Sequence, residues 1–419
     1  MNPINPNLMR LAAMALADVL NKTGPADVKL GRFFKDNRDL GVKDRAFVAE
    51  SVYGVLRRKS LLTYLADGED PRQLLLAWLL RVQGMSLREL DSALNKQQKE
   101  WAQSIKAKSL EGIDQAMQAD MPQWLWQSLA AQYGENEALA IARSLQQPAP
   151  LDLRVNILKA TREEVAQNLG GEDKQVQMTP YSPHGLRMPE KINISRHALF
   201  TEGKFEVQDE GSQLLAQLVA PRRGEMVADF CAGAGGKSLA MGALMRNTGR
   251  IYAFDVSEKR LQNLGARLKR SGLSNLHSQL ISSESDPKLK RLQGKFDRVL
   301  VDAPCSGLGT LRRNPDLKWR QTPQDIAELT TKQQSILGRA ARLVKTGGKL
   351  VYATCSLLQE ENEQVVENFL SNNPQFQLVN ANEILAQQQI PLDTGSYLKL
   401  LPHIHQTDGF FAAVLERKD

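Results

Sequence analysis

Cysteine is scarce in this sequence. The 419-residue chain holds three, Cys231, Cys305 and Cys355. An odd, low count excludes a disulfide framework and fits a reducing compartment. Histidine is also rare, with five in the whole chain. No Cys/His spacing matches a zinc site, so no metal is expected. His403 and His405 have no third ligand nearby in the sequence and read as structural. Long apolar runs are missing too. A bilayer span needs about 20 apolar residues, and the longest stretch here, Leu74–Leu80, ends at Arg81. The opening MNPINPNLMRLAA has one basic residue and no apolar core, unlike a secretion signal. Internal repeats and low-complexity tracts are absent. The expectation is a cytoplasmic protein with no membrane partner. With no exposed apolar seam evident, a monomer is expected.

What is present is an ordinary globular composition with a basic balance. Hydrophobic residues make up 42% of the chain, and 54 Lys and Arg stand against 47 acidic residues, a net +7. Such an excess suits a polyanionic partner such as nucleic acid. A plain charged surface accounts for it equally well on charge alone.

The hydrophobic rhythm changes twice along the chain. Residues 1–147 read as helix throughout: LMRLAAMALADVL and RAFVAESVYGVLRR carry apolar residues at helical spacing, and RQLLLAWLLRV is apolar nearly all round. Pro122 suits a helix start and Gly134 a helix stop. Residues 148–222 read as a small α+β module, opened by Pro148 and Pro150. LDLRVNIL alternates like a strand, Thr161 suits the cap of a short helix, and GSQLLAQLVAP is a helix ended by Pro221. Residues 223–419 alternate strand and helix. The strands are MVADF, RIYAFDV, LHSQLI, FDRVLVDAP, GKLVYATC, FQLVNA and GFFAAVLER. The long helix TPQDIAELTTKQQSILGRAARLVK is expected to run to Gly347 and Gly348. This alternation predicts an α/β Rossmann-like domain with a mostly parallel sheet, whose ligands bind at the carboxyl ends of the strands.

Chemistry collects at those ends. The first sheet strand runs into a glycine-rich loop, Cys231-Ala232-Gly233-Ala234-Gly235-Gly236-Lys237. Its backbone N–H groups can approach a ligand closely. The loop is a near miss for a phosphate-binding P-loop, with Cys231 where the first glycine belongs. A P-loop nucleotidase is therefore a rival reading. Asp255 counts against it: a carboxylate at the end of the next strand suits ribose hydroxyls, and S-adenosylmethionine offers these without a phosphate. Asp302-Ala303-Pro304-Cys305-Ser306-Gly307 follows one later strand, and Thr354-Cys355-Ser356 ends another. A free cysteine is usually a small buried hydrophobe. Two at equivalent strand ends favour catalysis instead. A thiolate that adds at C6 of cytosine makes C5 nucleophilic enough to accept a methyl group, and cysteine suits that step. Asp302 is the candidate to stabilise the adduct near N3.

At these residues the chain resembles the RNA (cytosine-5) methyltransferase family, in its bacterial Sun/RsmB type that acts on 16S ribosomal RNA. DAPCSG and YATCS carry the resemblance, with FEVQDEGSQLLAQLVAP, LRRNPDLKWR and TDGFFAAVLER alongside. The resemblance implies Cys355 as nucleophile, Cys305 in product release, S-adenosylmethionine as cofactor and ribosomal RNA as partner. It makes Cys231 part of the cofactor loop rather than a third nucleophile. It also implies a NusB-like RNA-binding domain at the N-terminus, with Arg57, Arg58 and Lys59 as a basic cluster. In the second module Arg154 and Asn156 are candidate RNA contacts, as are Arg312 and Arg313 after the DAPCSG loop. Arg267, Lys269 and Arg270 read instead as a solvated helix face. Two positions depart from the family pattern. Gly233 and Ala234 replace the usual Ala-Pro, and Ser282 stands where an acidic residue usually meets adenine, with Glu284 as the alternative. A non-catalytic RNA-binding assembly factor on the same fold is the second class of reading. Retention of both strand-end cysteines argues against it.

Overall fold

The computed structural model describes residues 4–21, 24–170, 176–189 and 194–418. The chain forms two compact units, residues 1–147 with 310–322, and residues 148–309 with 323–419. Among the described residues no helix is long and apolar enough to cross a membrane.

The first unit is helical. Apolar residues at helical spacing turn inward, so Leu16, Leu62, Leu65, Leu75 and Leu79 share one buried core. The helix Pro71–Arg81 is buried along Leu74–Leu80. Its start is set locally: the Asp70 carboxylate accepts from the Arg72 and Gln73 N–H groups, and Pro71 donates nothing that needs a partner. Gly134, at φ +81°, ends the helix Gln123–Tyr133 as expected.

Gly54 lies in the last turn of the helix Val42–Arg57, still within the helix, where glycine normally costs stability. Here the packing requires it. A Cβ at residue 54 would sit 2.3 Å from the Trp78 indole. Gly54→Ala therefore reverses the usual sign. It is expected to destabilise the first unit by about 1–3 kcal/mol, measured as a lower thermal midpoint.

The segment 310–322, which the sequence reading assigned to the third domain, packs within the first unit. The Trp319 indole N–H donates to the Leu56 carbonyl at 2.6 Å and the Lys318 ammonium to the Arg57 carbonyl at 3.0 Å. These carbonyls end a helix, where backbone oxygens lack intrahelical donors. Asp316 accepts from the Ala26 N–H at 3.3 Å.

The second unit holds two sheets. The smaller is antiparallel, ordered β2-β3-β1-β4, from β1 (Leu151–Val155), β2 (Gln177–Met178), β3 (Gly185–Met188) and β4 (Phe205–Val207). Its core is Leu153, Val155, Leu186 and Phe205 with the helix residue Val165. Thr161 and Glu164 cap that helix reciprocally.

The larger sheet comprises β5 (Met226–Asp229), β6 (Arg250–Asp255), β7 (Leu276–Leu280), β8 (Phe296–Asp302), β9 (Val344–Thr354), β10 (Phe376–Val379), β11 (Leu398–Leu400) and β12 (Phe410–Arg417). Its order is β10-β12-β9-β8-β5-β6-β7, with β11 paired to β12. The pairs from β7 to β9 are parallel, while β12 runs antiparallel to β9, β10 and β11. Alternation along each strand feeds two cores. Val227, Leu300 and Val351 pack with Leu239 and Leu264 on one face. Ala228, Val299, Val301 and Tyr352 pack with Ile336 and Leu337 on the other. This is the doubly wound, Rossmann-like arrangement, with β8 central and β5 beside it.

Two details differ from expectation. The long helix stops at Ala341, and β9 already begins at Val344. Gly347, at φ +70°, serves an irregularity early in β9, opposite Phe296 and Arg298 of β8. Strand β11 is only three residues, too short for alternation to reveal.

Candidate active site

A cleft of about 890 Å³ opens at the carboxyl ends of β5, β6, β8 and β9. Its wall includes Cys231, Ala232, Gly233, Ala234, Gly236, Lys237, Asp255, Ser282, Asp302, Cys305 and Cys355. Every candidate cofactor or catalytic residue except Gly235 thus lines one cavity. Gly235 turns the loop behind it at φ +78°, where a Cβ would meet Leu264 Cδ1 at 2.0 Å.

The loop is braced from several sides. The Gly233 N–H donates to Asp255 Oδ2 at 2.8 Å. Arg267 donates to the Ala234 carbonyl at 2.9 Å, and Arg154 to the Gly236 carbonyl at 2.6 Å. Asp255 also accepts from the Ser257 N–H at 2.7 Å. Two backbone donors therefore orient its carboxylate, and each oxygen keeps a second lone pair for a ligand hydroxyl. Below the loop, Asp229 is buried with Oδ2 accepting from Ser238 Oγ at 2.6 Å. Its Oδ1 has no hydrogen-bond partner among the described residues. Burial, opposed by the Ser238 bond, pushes this carboxyl up to about 7, and Asp302 and Asp255 add to the rise. A buried acid facing a cleft with an unmet oxygen is a site prepared for a cation or a donor.

The two cysteine sulfurs lie 3.3 Å apart. The Cys305 thiol is pushed well up, first by its hydrogen bond to Cys355 and then by burial. Cys231 is also pushed up, chiefly by burial, which keeps it a protonated wall residue. The Lys237 ammonium donates to Asp302 Oδ2 at 2.6 Å. Burial alone would lower the lysine, but Asp302 and the nearby Cys355 raise it, so it stays cationic beside the sulfur.

Curated relatives share this chain almost end to end. The probable ribosomal RNA small subunit methyltransferase B of Synechocystis is 34% identical over 97% of this chain and 99% of its own. The chain belongs to the RsmB/F family of 16S rRNA methyltransferases. That family's model matches residues 216–416, and a ferredoxin-like domain model of the same family matches residues 121–195. The Bacillus subtilis protein of the same description is 30% identical over 97% of this chain and 98% of its own. The crystal structure of PH0851 aligns over 99% of both chains at 27% identity, with TM-score 0.81. A methyltransferase homologue from Pyrococcus horikoshii covers 74% of this chain and all of its own at 29% identity, with TM-score 0.62.

Against the RsmB/F pattern, the altered loop remains well held. Gly233, at φ +56°, takes a backbone conformation that glycine adopts without strain, and Arg267 and Arg154 restrain the carbonyls that follow. At the position lacking an acid, Ser282 donates both its N–H and its hydroxyl to Asp286 Oδ2, at 2.8 and 3.1 Å. Ser282 and Glu284 both line the cleft, and Glu284 accepts from Ser335 Oγ at 2.8 Å. Sequence reasoning missed Asp286, four residues along.

The candidate RNA contacts are placed differently. Arg154 is buried against Gly236 and Gln208. Asn156, also buried, donates to the Gly203 and Ser271 carbonyls at 3.0 Å each. Arg312 is buried and Arg313 half-buried. Arg57 donates to the Arg312 carbonyl at 3.2 Å, and Arg58 ion-pairs with buried Asp120 at 2.7 Å. Arg154 and Asn156 are thereby corrected to structural residues, because a buried side chain occupied by protein partners cannot also meet a phosphate, and the burial of Arg312 sets it apart from an open phosphate contact. Arg267 and Arg270, read as a solvated face, both pair with Glu206 of β4. Among the described residues no group of three or more His, Cys, Asp or Glu side chains could hold a metal ion.

Proposed function

We propose that this rRNA methyltransferase methylates C5 of a cytosine through a covalent bond between Cys355 and C6. The observation that carries the reading is the pair of sulfurs 3.3 Å apart on a cleft that also holds the glycine loop and Asp255. Cys355 Sγ adds to C6, and charge develops towards N3. The Lys237–Asp302 pair stabilises that charge. Once C5 carries the methyl group that the cofactor would supply, a base takes the C5 proton, the C6–S bond breaks, and Cys305 assists this release. S-adenosylmethionine supplies the methyl group when bound. Asp255 suits its ribose hydroxyls, the loop its amino-acid end, and the unpartnered Asp229 Oδ1 its positive charge. Lys237, engaged with Asp302, is poorly suited to phosphates, which weakens the nucleotidase alternative.

In the same reading the first unit is a NusB-like RNA-binding domain and the small sheet a second RNA-contacting module. With the buried arginines set aside, Arg313 is the remaining candidate nearest to Cys305 along the sequence. The direct test is transfer of labelled methyl to unmethylated 16S rRNA, followed by nucleoside analysis. Label in 5-methylcytidine supports the reading, and label in any other nucleoside overturns it.

Asp229 adds a pH signature. A cation beside it favours the carboxylate, so the pKa in the complex lies below its value of about 7 without the cation. Affinity for S-adenosylmethionine is thus full above pH 7 and lost as pH falls below it. Calorimetric titration at pH 6 is expected to show about 10-fold weaker binding than at pH 8. Asp229→Asn should weaken binding at pH 8 and flatten the dependence. A flat wild-type profile would remove Asp229 from the cofactor site.

A further inference from the structure

Four residues past Cys355 begins the polar run Gln359-Glu360-Glu361-Asn362-Glu363. Composition marks such a run as solvated surface, yet Glu361 is 0% exposed. Its carboxylate gathers four neutral donors. Oε1 accepts from the Ser306 N–H at 2.8 Å and from Gln333 Nε2 at 2.9 Å. Oε2 accepts from the hydroxyls of both Ser306 and Ser356. These are the residues that follow the two cysteines.

The residues before the cysteines are tied to the same centre. Gln333 Nε2 also donates to the Pro304 carbonyl at 3.0 Å. Thr354 Oγ1 donates to Asn362 Oδ1, and Asn362 Nδ2 donates to the Ser356 carbonyl at 3.1 Å. Tyr352, within β9, donates its hydroxyl to the Glu361 carbonyl at 2.6 Å. Each cysteine is thus held on both sides by groups that converge on residues 361 and 362.

We propose that Glu361 is the positioning residue that ties the Cys305 loop to the Cys355 loop and sets the approach of the two sulfurs. A buried ion costs stability that a neutral residue of similar volume would not. What the carboxylate supplies is a common acceptor for two loops from different strands. Two oxygens with about four lone-pair sites meet the four donors, a capacity no neutral side chain of this size provides. The consequence for catalysis rests on the cysteine mechanism proposed above; the geometric consequence does not.

The test uses the full chain and Glu361→Gln, which keeps shape but turns one oxygen into a donor. The Ser306 N–H and Gln333 Nε2 cannot accept, so the amide oxygen must stay with them while its NH2 faces the Ser306 and Ser356 hydroxyls, which must reverse from donors to acceptors; both loop ties then lose their charge assistance. Two readouts separate the claims. The first is diamide cross-linking of Cys305 to Cys355 without RNA, mapped by peptide mass. Diamide accepts the two thiol hydrogens and becomes the hydrazine as the S–S bond forms. The second is single-turnover methyl transfer at saturating RNA and cofactor. Replacing these charge-assisted hydrogen bonds by neutral ones predicts about a 10-fold fall in both rates. Cofactor affinity and thermal midpoint should change little, which a general packing defect would not allow. A folded Glu361→Gln protein that cross-links at the wild-type rate overturns the proposal. If wild type forms no 5-methylcytidine but cross-linking still slows in the variant, the methylation reading fails and the positioning role stands. Should Glu361→Gln not fold, Ser356→Ala removes one tie alone, and unchanged cross-linking in it overturns the proposal equally.

Discussion

Replacing Cys355 by alanine is expected to reduce methyl transfer by about 10³-fold or more, the scale on which a removed nucleophile acts. The thiol is the one group on this strand end able to add at C6. Its sulfur faces the cleft that Lys237 also lines. The substitution removes one partly exposed atom and keeps the backbone bond from the Gly309 N–H to the Cys355 carbonyl at 2.8 Å. Folding and cofactor affinity should therefore persist, and a single-turnover assay beside a cofactor titration separates the two effects. Near-normal turnover would end the assignment of Cys355 as nucleophile.

Cys305→Ala should behave in a different way, by trapping the reaction rather than preventing it. The hydrogen bond to Cys355 is the first cause of the raised Cys305 pKa. Once Cys355 carries the cytosine, its sulfur is a thioether. Cys305 is then the neighbouring thiol placed to assist elimination. Without it, elimination slows while addition remains. A protein–RNA complex that survives denaturing electrophoresis should accumulate towards one RNA per enzyme, with multiple turnover lost. Free release of methylated RNA at the wild-type rate would contradict the role.

The parts of the site that were legible in the sequence share one property: they are short loops at strand ends, where residue identity and position coincide. The glycine loop, Asp255, Asp302 and both cysteines needed only the β/α rhythm to fall on one edge. Glu361 was not legible, because it sits in a polar run whose burial depends on serines 55 and 5 residues away in the chain. The arginines misled for a related reason. Arg154 and Asn156 lie at or just past the end of β1 and resemble outward polar positions, but their partners are backbone carbonyls of the second unit, Gly236, Gly203 and Ser271. Charge in a sequence advertises affinity for anions and conceals that a carbonyl oxygen satisfies it as well. The early end of the long helix was hidden in the same fashion, since Arg342, Leu343 and Val344 continue a helical pattern although Val344 already pairs with Phe296.

The placement of residues 310–322 bears on how such a protein can be recombined. The chain leaves the DAPCSG loop, contributes thirteen residues to the helical unit and returns to begin the helix Pro323–Ala341. The helical unit is therefore not a contiguous cassette. A chimera that exchanged residues 1–147 alone would present Lys318 and Trp319 to a foreign helix end with no guarantee of the Leu56 and Arg57 carbonyls they cap. An exchange that respects the architecture must carry two stretches of sequence, and the second begins three residues after the motif that holds Cys305.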